Sequence, residues 1–108
     1  MRLIWGIFKM SMDAKARKAL SVIQRCVAAK RYVVLPHFVQ RMDQRGFFWA
    51  DVLAVLDEPD EVRFDGHDRY ARPKWVIEGK TVGELDIGLV CVLDTDDRGR
   101  VTVFITIY

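Results

Sequence analysis

One change of hydrophobic period divides this chain. From about Asp13 to Lys30 the apolar residues Ala16, Ala19, Leu20, Ile23 and Val27 recur at intervals of three and four, with Lys15, Lys18, Arg25 and Lys30 projecting elsewhere. That is the repeat of an amphipathic helix with basic flanks. Beyond residue 84 the spacing falls to two, in Leu85, Ile87, Leu89, Cys91 and Leu93 and again from Arg100 to Tyr108, the repeat of strands with one face buried. A chain that begins on one period and ends on the other is expected to place N-terminal helices on an antiparallel sheet of three or four strands, an α+β fold.

Between those ends, Tyr32 to Leu35 is β-prone, and Pro36 suits the first turn of a second helix because its missing N–H needs no intrahelical acceptor. This helix should run to about Gln44 and stop at Arg45-Gly46, with His37, Arg41 and Arg45 on one side at successive spacings of four. Val52, Val55 and Leu56, with Phe48 or Trp49, predict a short third helix ending before Pro59. Val62 to Phe64 reads as a strand, Asp65-Gly66 as a turn, Tyr70 to Ile77 as a second strand, Glu78-Gly79-Lys80 as a turn, and Asp96 to Gly99 as the last hairpin. On the closing strand Val101, Val103, Ile105 and Ile107 are expected to face the core, and Thr102, Phe104, Thr106 and Tyr108 the other side.

With 108 residues, 51% of them hydrophobic, the chain can build one core, and a single domain over residues 1–108 is expected. Charge is unevenly spread: residues 1–47 hold ten Lys/Arg against two Asp/Glu, and residues 48–108 hold seven against thirteen. The split suits a basic patch facing phosphate, pairing between the two parts of the fold, or a charged protein partner. Cys26 and Cys91 lie 65 positions apart in apolar surroundings, which reads as two buried thiols in a reducing cytoplasm. The opening Leu3, Ile4, Trp5, Ile7 and Phe8 cluster is interrupted by Lys9. It is too short for a signal peptide or a membrane span, and burial against the domain or in a homodimer is expected.

No set of residues has the spacing of a metal site, a Gly-rich phosphate loop or a Ser/His/Asp triad, so no metal or cofactor is implied. The constellation that carries chemistry is His37, Arg41 and Arg45 from the second helix with Arg72, Lys74, Thr106 and Tyr108 from the sheet. Metal-independent RNA cleavage needs a group to take the 2′-hydroxyl proton, a group to protonate the leaving 5′-oxygen, and cations for the charge developing on phosphorus. Histidine moves protons near neutral pH and arginine forks match phosphate oxygens.

The string His37-x3-Arg41-Met42-x2-Arg45-Gly46, the Asp51 to Leu56 segment, the Glu58 to Val62 step, Arg69-Tyr70 and the closing Thr106-Ile107-Tyr108 resemble a small bacterial domain family. That family is grouped with the RelE-like toxins and the wider barnase, EndoU, colicin and RelE ribonuclease folds. The resemblance covers about residues 20–108 and leaves 1–19 as an apolar and basic extension. It implies a toxin-like metal-independent endoribonuclease in which His37, Arg41 and Tyr108 are catalytic and Arg45, Arg72, Lys74 and Thr106 bind substrate. RNA or the ribosome and a cognate antitoxin are the partners it implies. The sequence departs from the pattern at Phe47-Phe48-Trp49, where similar sequences have a small polar helix cap; these rings can stack bases, meet an antitoxin or build core. A non-catalytic interaction or regulatory module on the same fold is the alternative, with the apolar N-terminus and these aromatics as its interface.

Overall fold

The structure, a computed structural model, describes residues 13–108. The Leu3 to Phe8 cluster, and with it the expected burial or homodimer contact, lies outside the described residues. Helix α1 spans Ala14–Ala28, capped by Asp13, whose carboxylate accepts the Ala16 N–H at 2.7 Å. Of the predicted stripe Ala16, Ala19, Leu20 and Ile23 are buried, joined by Val22 and Cys26, while Val27 packs half-buried against the same cluster. Strand β1 is Tyr32–Val34, α2 is Pro36–Arg45 and α3 is Trp49–Asp57. Gly46 ends α2 in the left-handed conformation, φ 70°, which glycine adopts without a Cβ penalty. Asp51 caps α3 from within: its carboxylate accepts the Phe48 N–H at 2.9 Å and the Val82 N–H at 3.1 Å. The missing polar residue before the helix is thereby replaced by an acid in its first turn.

Strands β2 (Glu61–His67), β3 (Pro73–Lys80), β4 (Asp86–Asp96) and β5 (Gly99–Ile107) complete a five-stranded sheet in the order β1-β5-β4-β3-β2. The fold is α+β, but the sheet is mixed, with β1 parallel to β5 and the other pairs antiparallel. An antiparallel sheet of three or four strands is therefore corrected to five, because the short Tyr32–Val34 run adds to the far side of β5. The closing strand is an interior one. Two turns also move. Asp65-Gly66 lies within β2 at an irregularity between Phe64 and His67, with Gly66 at φ 79°. The chain reverses at Asp68 to Arg72 instead, where the Asp68 carboxylate accepts the backbone N–H groups of Tyr70 and Arg72, both at 2.9 Å. Glu78-Gly79-Lys80 belongs to β3, and the reversal falls at Thr81 to Leu85, closed by Thr81 N–H to Leu85 O at 2.8 Å.

The helices cover one face of the sheet. Trp75 and Ile77, then Ile87, Leu89, Cys91 and Leu93, then Phe104 and Ile107 pack with α1, α2 and α3 in one cluster. Val76, Val92 and Val103 are buried on the opposite face, outside that cluster. The alternation expected for β5 fails here. Phe104 and Thr102 are fully buried on the helix side, and Val103 lies opposite. Val90 pairs with Thr106 and Cys91 with Phe104, so Ile105 is an extra residue without a partner on β4. This bulge reverses the parity of the strand and lets Phe104 and Ile107, three apart, face the same core. Both cysteines are buried and free, and burial, helped by nearby Cys26, pushes the Cys91 thiol up to about 12.

Phe104→Ala is expected to cost about 3–5 kcal/mol, whereas Ile105→Ala costs about 1 kcal/mol or less because the bulge leaves that side chain half-buried. Urea unfolding of the two variants checks this, since regular alternation would reverse their order.

Candidate functional site

Pro36 opens α2 and Phe38 seats it. The Phe38 ring is fully buried, 5.4 Å from the Phe104 ring, and half-buried Met42 packs against the same cluster. With those positions turned inward, His37, Arg41 and Arg45 form a row on an adjacent side of the helix. The imidazole of His37 is exposed. Arg41 donates from Nε to the Ile107 carbonyl at 3.2 Å. That carbonyl is available for a reason of strand geometry: Tyr108 and Gly88 exchange both backbone hydrogen bonds at 2.9 Å, so the polar groups of Ile107 point to the other edge of β5. Strand β1 pairs only with residues 102–104 and ends too early to meet it. Arg41 supplies the donor and pins α2 to the end of β5. Arg45, one turn on, lies over the Phe47 ring at 5.2 Å.

Tyr108 faces the other way. Its ring crosses β4 over Gly88, where a Cβ would stand 2.4 Å from the ring carbon bearing the hydroxyl. Glycine is the residue that permits this approach. The hydroxyl donates to the Glu78 carboxylate at 2.9 Å and accepts from Arg63 at 3.0 Å, and Arg63 also bonds Glu78 and Glu61. A cation, a carboxylate and a phenol thus link β2, β3 and the end of β5 across β4. The Arg63 hydrogen bond holds the Glu78 carboxyl below its ordinary range, while burial and then the Glu78 bond raise the Tyr108 phenol. A groove of about 430 Å³ beside it is walled by Arg45 and Tyr108 together with Asp60, Glu61, Glu78 and Asp86, one guanidinium among four carboxylates.

The seven residues expected to form one site therefore separate. Arg41 meets β5 on its α2 edge and Arg45 shares a groove with Tyr108, but the Tyr108 hydroxyl is directed across the sheet away from the His37 row. Arg72 is held by Asp68 at 2.7 Å and Asp94 at 3.1 Å. Burial opposes ionisation of Asp68, yet the side-chain and backbone bonds of Arg72 keep that carboxyl below its ordinary range. Lys74 pairs with Asp65 at 3.7 Å and stands opposite Val92, four positions along β4 from Gly88, or about 13 Å. Thr106 is half-buried beside Val90 on the face away from the helices. Neither Arg72 nor Lys74 joins the α2 row.

The ion pairs among the described residues engage Arg31, Arg63, Arg72, Lys74 and Lys80. His37, Arg41 and Arg45 have no carboxylate partner among them. Arg63, Glu78 and Gly88 escaped sequence reasoning. Gly88 carried a legible signal, an isolated glycine inside an alternating strand, which marks close approach by another group. No cluster of three or more His, Cys, Asp or Glu able to hold a metal ion occurs among the described residues, and no helix among them is long and apolar enough to cross a membrane.

A family model described as a domain of unknown function, DUF4258, matches residues 34–108. The match includes α2, the whole of β2 to β5 and Tyr108, and leaves α1 outside. No curated protein and no solved structure matches the chain.

Tyr108→Phe is expected to cost about 1 kcal/mol and Gly88→Ala about 1–3 kcal/mol, because the new methyl displaces the ring. In the Gly88→Ala background the Tyr108→Phe cost should fall close to zero, which a double-mutant cycle by urea unfolding measures. Since the folded-state Glu78 pKa is depressed, the stability it contributes is present above the ordinary carboxylate range and lost as pH falls through the depressed value. The stability gap between wild type and Arg63→Ala should accordingly be open at neutral pH and close on acidification.

Proposed function

The chain belongs to the DUF4258 family, and we propose that it is a RelE-like, metal-independent endoribonuclease whose working surface is the exposed side of α2. The observation that carries this reading is the separation of its cations. Arg63, Arg72, Lys74 and Lys80 are each paired with a carboxylate, whereas His37, Arg41 and Arg45 stand in a row on α2 and form no ion pair among the described residues. An unneutralised guanidinium beside an exposed imidazole suits an anionic, proton-transferring reaction.

In this reading His37 takes the proton of a ribose 2′-hydroxyl as the 2′-oxygen bonds to phosphorus and the bond to the 5′-oxygen breaks. Arg41, anchored through Nε to Ile107, presents its remaining guanidinium N–H groups to the charge developing on the phosphoryl oxygens. Arg45 holds the adjoining phosphate. The leaving 5′-oxygen takes its proton from solvent at the open surface. Tyr108 is a positioning residue: its hydroxyl is engaged by Glu78 and Arg63, and its backbone pairing with Gly88 directs the Ile107 carbonyl toward Arg41. Substrate RNA, free or on the ribosome, would lie along α2, and a cognate antitoxin would act by covering it.

The non-catalytic interaction module is favoured by a different observation. Phe47 is buried and Trp49 stacks on Tyr32 at 5.1 Å, but Phe48 is 73% exposed and Val39 and Leu53 are also exposed. Side chains of this kind anchor protein interfaces.

Total RNA incubated with the protein in excess EDTA separates the two readings. The enzyme is expected to yield 2′,3′-cyclic phosphate ends. His37→Ala should lower the rate by about 100-fold or more, and Arg41→Ala by about 10- to 100-fold. Arg72→Ala and Lys74→Ala, whose charges are already matched, should stay within about threefold. Absence of cleavage by folded wild type, with and without ribosomes, assigns the protein to the interaction class.

A further inference from the structure

Helix α1 holds Lys15, Arg17, Lys18 and Arg25 and no Asp or Glu between Ala14 and Ala28. A surface helix normally offsets its cations with acids one turn away; this one does not. Its apolar stripe is buried, so the cations line the exposed side, and the β4–β5 hairpin brings two more beside them. Arg25, Arg31, Arg98 and Arg100 wall one groove of about 360 Å³. Lys15, Lys18 and Arg100 wall a second of about 200 Å³. Arg100 and Val22 belong to both, which makes the track continuous.

Arg31 is neutralised by Asp96, which also accepts the Arg98 backbone N–H at 2.8 Å, and Asp97 is exposed on the same turn. Lys15, Lys18, Arg25, Arg98 and Arg100 form no ion pair among the described residues. The wall of the second groove includes Trp75, whose side chain is buried and whose indole N–H has no acceptor among the described residues.

We infer that this track binds the phosphodiester backbone of a nucleic-acid strand, at a site separate from the α2 row. Planar guanidinium groups donate paired N–H groups in the geometry of phosphate oxygens. The apolar lining of the four-arginine groove is confined to the buried Val22 and Cys26, so that part of the track meets its ligand through charge, while Pro73, Trp75 and Leu93 line the second groove. Lys15 and Arg25 are ten residues apart, about 15 Å along the helix, the length of roughly four nucleotides in a stacked strand. Contacts to backbone alone give binding that ignores base sequence and weakens steeply with salt.

A fluorescent 2′-O-methyl oligonucleotide tests this without depending on the cleavage reading, since it has no 2′-hydroxyl to react. Anisotropy titration between about 50 and 200 mM salt is expected to show sequence-independent binding. The triple variant R25A/R98A/R100A should bind at least 10-fold more weakly and lessen the slope of log affinity against log salt by about 2. Circular dichroism verifies folding of that variant; Arg98→Ala alone, on an exposed turn, should weaken binding about threefold and provides the same check if the triple variant unfolds. Binding that these variants retain, or no binding at the lowest salt, overturns the proposal, as does tighter binding of a poly-glutamate peptide or of anionic vesicles. Binding lost in these variants by a protein that cleaves no RNA would uphold the track and reject the cleavage reading.

Discussion

The Phe104 ring is the contact on which the arrangement of the upstream elements depends. Fully buried on β5, it meets Phe38 of α2 at 5.4 Å, Trp49 of α3 at 5.5 Å and Tyr32 of β1 at 6.2 Å, and Tyr32 stacks in turn on Trp49. Offset and edge-on pairs of this kind add about 0.5–1.5 kcal/mol each beyond the area they bury. One side chain therefore locates two helices and the parallel strand. The bulge at Ile105 is its geometric condition: it lets Phe104 and Ile107 occupy the same face. It precedes the Ile107 carbonyl that Arg41 grips, so the core and the α2 row are set by the same irregularity in β5.

The uneven charge of the two parts of the chain resolves into local matching on β2 and β3 and a positive excess on α1 and α2. Asp65, Asp68, Glu78, Asp86 and Asp94 each engage a lysine or arginine of β2 or β3, or of the turn between them. Among the described residues of the basic part, Arg31 alone obtains an ion-pair partner from the later part, through Asp96. These pairs are mostly solvent-exposed and each contributes little to stability. Their larger effect is on the field, which they leave mixed over β2 and β3 and positive along α1 and α2.

Much of the fold was legible because periodicity reports burial. The three helices fall where spacing and the Pro36, Gly46 and Pro59 signals put them, and β4 and β5 occupy the region of period two. What was not legible depends on partners that periodicity cannot see. Asp65-Gly66 has the composition of a turn, but Asp68 provides a carboxylate that captures two backbone N–H groups and moves the reversal downstream. A period of two cannot announce an unpaired residue such as Ile105, so the face assignments of residues 101–104 on β5 were inverted. Of the site, the α2 row follows from helical spacing alone. The place of Tyr108 does not, because it requires knowing that Gly88 lies beside it and that Glu78 and Arg63 wait on the next two strands.

Strand β5 separates two kinds of chemistry at its end. Its α2 edge offers a carbonyl to Arg41; its β4 edge sends the Tyr108 ring over Gly88 toward Glu78 and Arg63. A hydroxyl that donates to a carboxylate and accepts from a guanidinium has its proton and one lone pair committed, and burial together with the Glu78 charge makes the phenol a weaker acid than free tyrosine. Such a group is a poor proton source for a leaving alkoxide but a good strut, since removing any one member leaves the others with unmet hydrogen bonds. In the proposed cleavage proton transfer therefore falls to His37, and the part of the terminal strand is to anchor the helix that carries it, through the Arg41 bond to Ile107.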